Sequence, residues 1–347
     1  MGRREPGRRP GRDSGEGKVR RSGRRLRRPD TGQEAFAAAG PRTPGPENPA
    51  IIVENPLGGG MSTQTGKRRR RSSPAGGRDG RNSAARPDRR DRHYLYQTAV
   101  QSPEADIRFF DRVYGKRRGR KPSLMREDFC GTAHLSAGWV RTRRKNRAIG
   151  VDLDRETLEW GRRYNLAPLG EAARRVRLVC ADVRRIRKPK VDLVAAMNFS
   201  YFVFKDRKTL QKYFEGVRKS LAPGGMLALD IFGGSNSQAE ITEKKRLNGF
   251  TYVWEQVRFD PISHEVLFHI HFRFHGGGGI SRAFVYDWRL WSIPEVREVL
   301  REAGFRTVEV YWEGTESDTG EGDGVFRLTR RTTNHPGWIA YIVAWKD

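Results

Sequence analysis

Across residues 123–232, short apolar runs alternate with segments of helical spacing, and few folds accept that rhythm. Runs at 123–126, 148–153, 176–180, 191–197 and 226–232 have the length and composition of strands. Residues 155–165 and 207–221 carry the periodicity of helices. Strand and helix in repetition predict a mostly parallel sheet covered by helices on both faces. A helix is also predicted over 103–114, where Ile107, Phe110, Val113 and Tyr114 follow Pro103 at helical spacing. A basic loop, 115–121, leads from it to the first strand.

The rhythm breaks after residue 250. Three strands, 251–259, 265–274 and 281–290, are separated by turns at Pro261-Ile262-Ser263 and 276–279. They read as an antiparallel insertion over about residues 250–290. A helix at 294–303 follows, with Ser292 as its cap, Pro294 in its first turn and Gly304 as its stop. Strands at 307–312 and 338–345 complete a seven-stranded main sheet. They flank an acidic, glycine-rich loop, 313–324, expected to be solvated and possessing no calcium-loop spacing.

Residues 1–92 have a different texture. They hold 24 Lys and Arg against 10 Asp and Glu, and are rich in Gly, Pro and Ser. So little apolar material cannot offset the entropy of ordering, so a disordered arm is predicted there, ahead of one domain over 93–347. Runs such as Arg24-Arg25-Leu26-Arg27-Arg28 have the charge to hold phosphate backbones, although a dispensable tail is the simpler reading. Met61 is a second candidate start residue. Two cysteines, Cys130 and Cys180, make no disulfide framework, and no Cys/His spacing points to zinc, so no metal is expected. With no long apolar run and no secretory signal pattern, a cytoplasmic location is expected.

The most informative stretch is Glu127-Asp128-Phe129-Cys130-Gly131-Thr132-Ala133, between the first strand and a helix. Small residues there let backbone approach a ligand, and the helix start behind them offers N–H groups to a carboxylate. Asp152 ends the next strand 21 residues after Gly131, where an acid can accept bonds from both hydroxyls of a ribose. Asp182 ends the third strand, and Pro223-Gly224-Gly225 turns into the fifth.

With these four segments in this order, residues from about 93 to 347 resemble the class I S-adenosylmethionine-dependent methyltransferases. The resemblance implies a Rossmann-like domain with S-adenosylmethionine as cofactor. It implies that Glu127, Phe129, Cys130, Gly131, Thr132 and Ala133 form the first cofactor-binding motif. It further implies that Asp152 with Leu153 holds the ribose, that Asp182 with Val183 holds the adenine, and that Asn198 adjoins the cofactor. Phe129 and Ala133 stand where the family usually has its first and third glycines, which leaves a backbone contact as the role open to Phe129. The inserted strands resemble the lid that small-molecule members place over the acceptor.

Catalytic candidates follow from placement. Asn198 and Tyr201, in Asn198-Phe199-Ser200-Tyr201, lie after the fourth strand, at the ligand-binding edge of such sheets. They are candidates for orienting the acceptor, against a plain packing role for the tyrosine. His269, His271, Arg273 and His275 alternate with Ile270, Phe272 and Phe274, which puts the polar set on one face. If that face meets the acceptor, His271 is a candidate base; a metal pair with His269 and a solvent-facing surface are the other readings. Tyr286, Trp288 and Trp291 are expected in the lid core.

The expected function is methyl transfer to an N or O atom of a small molecule. The first alternative is an RNA methyltransferase using the basic arm and the basic loop. The second is a non-catalytic nucleic-acid-binding protein whose Rossmann-like domain holds a ligand.

Overall fold

The structure, a computed structural model, describes residues 86–315 and 322–347. The arm predicted over 1–92 therefore lies, up to residue 85, outside the described residues. Two helices open the described chain: α1 (Arg92–Val100), capped by the Asp91 side chain, and α2 (Pro103–Arg118), which begins on its proline. Helix α2 runs four residues beyond the predicted end, to a left-handed Gly119. The expected basic loop is thus largely helix. Four of its five charges form ion pairs: Arg117 and Arg118 with Asp347, Arg120 with Asp192, and Lys121 with Asp111.

The main domain alternates as the sequence predicts. In order come β1 (Leu124–Asp128), α3 (His134–Thr142), β2 (Arg147–Asp152), α4 (Arg155–Gly161), β3 (Val176–Cys180), β4 (Val191–Ala196), α5 (Arg207–Ser220) and β5 (Leu221–Gly233). After an insertion come α6 (Ile293–Glu302), closed by a Ser292–Glu295 capping box, then β10 (Thr307–Thr315), β11 (Gly322–Leu328) and β12 (Trp338–Trp345). The main sheet has the order β11-β10-β12-β5-β4-β1-β2-β3. Its β3-β2-β1-β4-β5 portion is parallel, whereas β12 runs antiparallel to both β5 and β10. It has eight strands, not seven. The acidic segment taken for a loop extends β10 and adds β11 as an edge strand; Glu316, Asp318 and Glu321 lie outside the described residues.

The strands at the centre are buried on both faces, so they read as continuous apolar runs, as in β4, where Leu193, Val194, Ala195 and Ala196 are fully covered. A polar cluster interrupts this core. Arg126 and Asp128 alternate on β1 and form a fully buried bidentate pair, 2.7 and 2.8 Å, that also takes in the Ser220 and Tyr213 hydroxyls.

The insertion forms a second, four-stranded antiparallel sheet in the order β6-β7-β8-β9. Its members are β6 (Thr242–Leu247), β7 (Phe250–Phe259), β8 (Glu265–Phe274) and β9 (Gly279–Arg289). The expected lid thus gains a fourth strand at its start. Helix α1 packs on this sheet: Leu95 and Ala99 share a core with Phe250, Tyr252, Ile270, Phe272 and Ala283.

Candidate functional site

The loop joining β1 to α3 takes an unusual backbone course. Phe129, Gly131 and Ala133 have φ of 57°, 50° and 55°, so three alternate residues are left-handed. Only glycine adopts this region without cost. Phe129 and Ala133 therefore keep the shape that glycines would give while lacking glycine's freedom. Ala133 is fully buried, and the Phe129 ring packs on Phe204 and Tyr213, with centroids 5.7 and 5.8 Å away.

Several contacts hold the loop. The Asp152 carboxylate accepts the Gly131 N–H at 2.8 Å and the Asp154 N–H at 2.9 Å. Asn165 donates to the Thr132 carbonyl at 2.8 Å, and Gln97 of α1 donates to the Thr132 hydroxyl at 2.5 Å. Helix α4 approaches so closely that a Cβ on Gly161 would stand 2.3 Å from the Thr132 carbonyl oxygen; only glycine fits there.

Glu127 sits behind the loop. Its carboxyl accepts the Ser136 N–H and hydroxyl at 2.8 and 2.6 Å, and so caps the first turn of α3. Burial pushes its pKa up to about 8. Cys130 is buried too, and burial raises its thiol well above the usual range, which keeps it protonated and unreactive.

In front of the loop lies a cavity of about 980 Å³. Phe129, Cys130, Gly131, Thr132, Asp152, Leu153, Asp182, Val183 and Asn198, nine of the residues expected at the cofactor, line it together. Glu127 and Ala133 do not; they shape the loop from behind. Leu153 and Val203 lie 72% and 48% exposed on the cavity wall, apolar surface facing open space. Asp182 accepts the Arg184 backbone N–H at 2.8 Å and its guanidinium at 2.6 and 3.0 Å, which keeps its carboxyl below the usual range. A carboxylate has about four acceptor positions, so Asp152, with two in use, retains capacity for a ligand, whereas a ligand at Asp182 would take the place of an Arg184 contact.

Helix α1 supplies a wall the sequence reading lacked: Arg92, His93, Tyr96 and, just beyond the helix, Gln101. The lid supplies Phe284, Tyr286 and Trp288. A second cavity, about 400 Å³, shares Tyr96, Asn198, Tyr286 and Trp288 with the first. Its remaining walls include Tyr252, Trp254 and Ile270 of the lid and the carboxyls of Asp106, Asp230, Glu243, Glu313 and Asp323, with Arg108, Lys244 and Lys245 as its basic members. Burial lifts Asp106, Asp230 and Glu313 to about 7 each. Asp230 also accepts the N–H groups of Asn198 and Phe199 at 2.7 and 2.8 Å, and so pins two further left-handed residues, with φ of 59° and 56°.

Two catalytic candidates are displaced by this geometry. Tyr201 is fully buried against Phe202 and Phe214 and lines neither cavity. His271 lies on the far face of the lid, because the apolar face, not the polar one, turns inward. It comes closest through its neighbour Arg282, a cavity residue whose backbone N–H approaches His271 Nδ1 at 3.2 Å. On the face carrying His269 that residue is 7% exposed, His271 is half-buried, and Arg273 and His275 are exposed. Tyr286 and Trp288, expected in the lid core, line both cavities.

Residues 129–225 match the family model described as a methyltransferase domain. The fold is similar to several solved structures. An S-adenosylmethionine-dependent methyltransferase from Clostridium acetobutylicum is 17% identical, with a TM-score of 0.52 over 73% of this chain and 96% of that one. DesVI of Streptomyces venezuelae is 18% identical, with a TM-score of 0.53 over 75% and 99%. CalS10 of Micromonospora echinaspora, an amino pentose methyltransferase bound to S-adenosylmethionine, is 16% identical, with a TM-score of 0.52 over 74% and 96%. No curated protein matches the chain in sequence.

Proposed function

From the premise that the chain carries a class I S-adenosylmethionine-dependent methyltransferase domain, we propose that it methylates a small-molecule acceptor, at nitrogen in preference to oxygen. The carrying observation is the pair of cavities that share Tyr96, Asn198, Tyr286 and Trp288. The larger has the residues to hold the cofactor. The smaller is walled by aromatic rings and carboxyls, a setting that suits a cationic amine.

The residues present fit the cofactor. Asp152 and Asp182 offer acceptors to ribose and adenine, exposed Leu153 offers an apolar surface to the base, and the left-handed loop brings backbone close. The cofactor supplies an activated methyl on a sulfonium, so the protein needs little covalent chemistry. Its work is placement and exclusion of water. Asn198, on a backbone pinned by Asp230, stands where the two cavities share a wall and is proposed to orient the acceptor. Asp230 and Asp106, near 7, are placed to balance the charge of an arriving ammonium and to take up its proton.

The domain is proposed to span 93–347 with α1 as part of its site, and to work in the cytoplasm. Among the described residues no helix is long and apolar enough to cross a membrane. The test is calorimetric titration of S-adenosylmethionine into the full chain, followed by a screen of amines against matched alcohols for S-adenosylhomocysteine release. Turnover confined to alcohols would overturn the nitrogen preference; absence of cofactor binding would overturn the whole reading.

A further inference from the structure

Three side chains converge on the face of the lid opposite the cavities. His269 and His271 alternate on β8, so both rings leave the same face, and Glu255 on β7 pairs directly across from His269. Glu255 Oε2 lies 3.2 Å from His269 Nδ1 and 3.0 Å from His271 Nε2. Each residue offers one ligand atom, and the three atoms lie within 4.8 Å of one another. We propose that Glu255, His269 and His271 form a binding site for a divalent transition-metal ion, zinc being the best matched.

The donor set is two imidazoles and one carboxylate, which suits zinc and neighbouring first-row metals better than calcium or magnesium. Bonds of about 2.0–2.1 Å in a tetrahedron separate adjacent ligand atoms by about 3.3–3.4 Å. Two of the three gaps here, 3.0 and 3.2 Å, already approach that spacing. The third, between the two ring nitrogens, is no more than 4.8 Å. A water completes the tetrahedron.

Loading an ion requires a change of tautomer at His271: the Arg282 N–H donates to Nδ1, which places the ring proton on Nε2, facing Glu255. His271 Nδ1 lies 3.2 Å from the Ser281 hydroxyl oxygen, and donation to that oxygen leaves Nε2 free as a ligand. The Arg282 N–H approaches the same Nδ1 at 3.2 Å, so loading the ion exchanges that contact for the bond to Ser281. The two imidazole side chains are 9% and 19% exposed and the carboxylate 39%, so the ion approaches from the Glu255 side. None of the three residues lines either of the two cavities described above, so the ion would act on the lid rather than on the reacting groups. It ties β7 to β8 and, through Ser281, braces the β9 edge above the cofactor cavity. No single segment signals the site, because the third ligand comes from another strand.

The experiment uses the full chain, stripped with a chelator and dialysed. Zinc is titrated by calorimetry, and cobalt by the visible absorption of a low-coordinate N/O site. One equivalent binding at micromolar strength or tighter is expected. Glu255→Gln and His271→Ala should each weaken it at least ten-fold, and Ser281→Ala on the order of ten-fold. Zinc should raise the melting temperature of the unaltered chain and leave that of Glu255→Gln unmoved. Binding no tighter than millimolar, or tight binding that survives Glu255→Gln, would overturn the proposal. Glu255→Gln is nearly isosteric and part-exposed, so it decides the matter even if His271→Ala folds poorly. No readout depends on methyl transfer.

Discussion

The Asp152 carboxylate accepts the N–H of Gly131 at 2.8 Å, which joins the end of β2 to the loop after β1 across 21 residues. One acid thus both shapes the loop and offers acceptors to a ribose. Asp152→Ala should weaken S-adenosylmethionine binding by a factor of ten to a hundred, about 1.4–2.8 kcal/mol. Asp152→Asn, which keeps one acceptor oxygen, should lose less. Titration calorimetry of both variants decides this; unchanged affinity in the alanine variant would remove Asp152 from the site.

Ala133 carries a left-handed backbone in a fully covered position. In Ala133→Gly, relief of strain opposes the added freedom of the unfolded chain, so stability should change by less than about 1 kcal/mol. Ala133→Val adds branching where φ is 55° and leaves no room for it, and should cost more than about 2 kcal/mol. Denaturant melts of the pair provide the check.

Tyr201 has a buried hydroxyl with no hydrogen-bond partner among the described residues. Its removal leaves nothing unsatisfied, so Tyr201→Phe should be neutral or stabilising by about 1 kcal/mol. Turnover should be unchanged, whereas Asn198→Ala should lower kcat at least ten-fold. A ten-fold fall in kcat for Tyr201→Phe would restore the tyrosine as a catalytic group.

Glu127 has its pKa raised by burial from 4.5 to about 8, and Asp106 and Asp230 are raised in the same sense to about 7. Between the unfolded and folded values the native state holds protons that the unfolded chain has lost, so stability falls as pH rises through that window. Melting temperature should therefore decline between about pH 4 and pH 8. Glu127→Gln, neutral throughout, should flatten the upper part of that decline. A decline of the same slope in the variant would assign the effect elsewhere.

Much of this architecture was legible because central parallel strands are continuous apolar runs: β2 and β4 fall within one residue of where the sequence puts them. What escaped was structure stabilised by its neighbours. Helix α1 has only Leu95 and Ala99 buried, and it forms against the lid rather than from its own pattern. Strand β6, Thr-Glu-Lys-Lys-Arg-Leu, is an edge strand with one partner, so it needs no apolar alternation. At β8 the period of two correctly separated the histidines from Ile270 and Phe272. It did not say which face turns inward, since an aromatic-lined cavity accepts the apolar set that a core would also accept. Nine of the expected cofactor residues share a cavity wall because the motif's order fixes the strand ends. Tyr96 could not be found that way, as it comes from an element outside the motif.

Helix α1 packs into the lid sheet on one side and bonds Thr132 of the cofactor loop through Gln97 on the other. The roof over both cavities is thus one piece with a latch at Thr132. Tyr96, Tyr286 and Trp288 belong to that roof and wall both cavities, so a shift of the roof at Thr132 would reshape the two together.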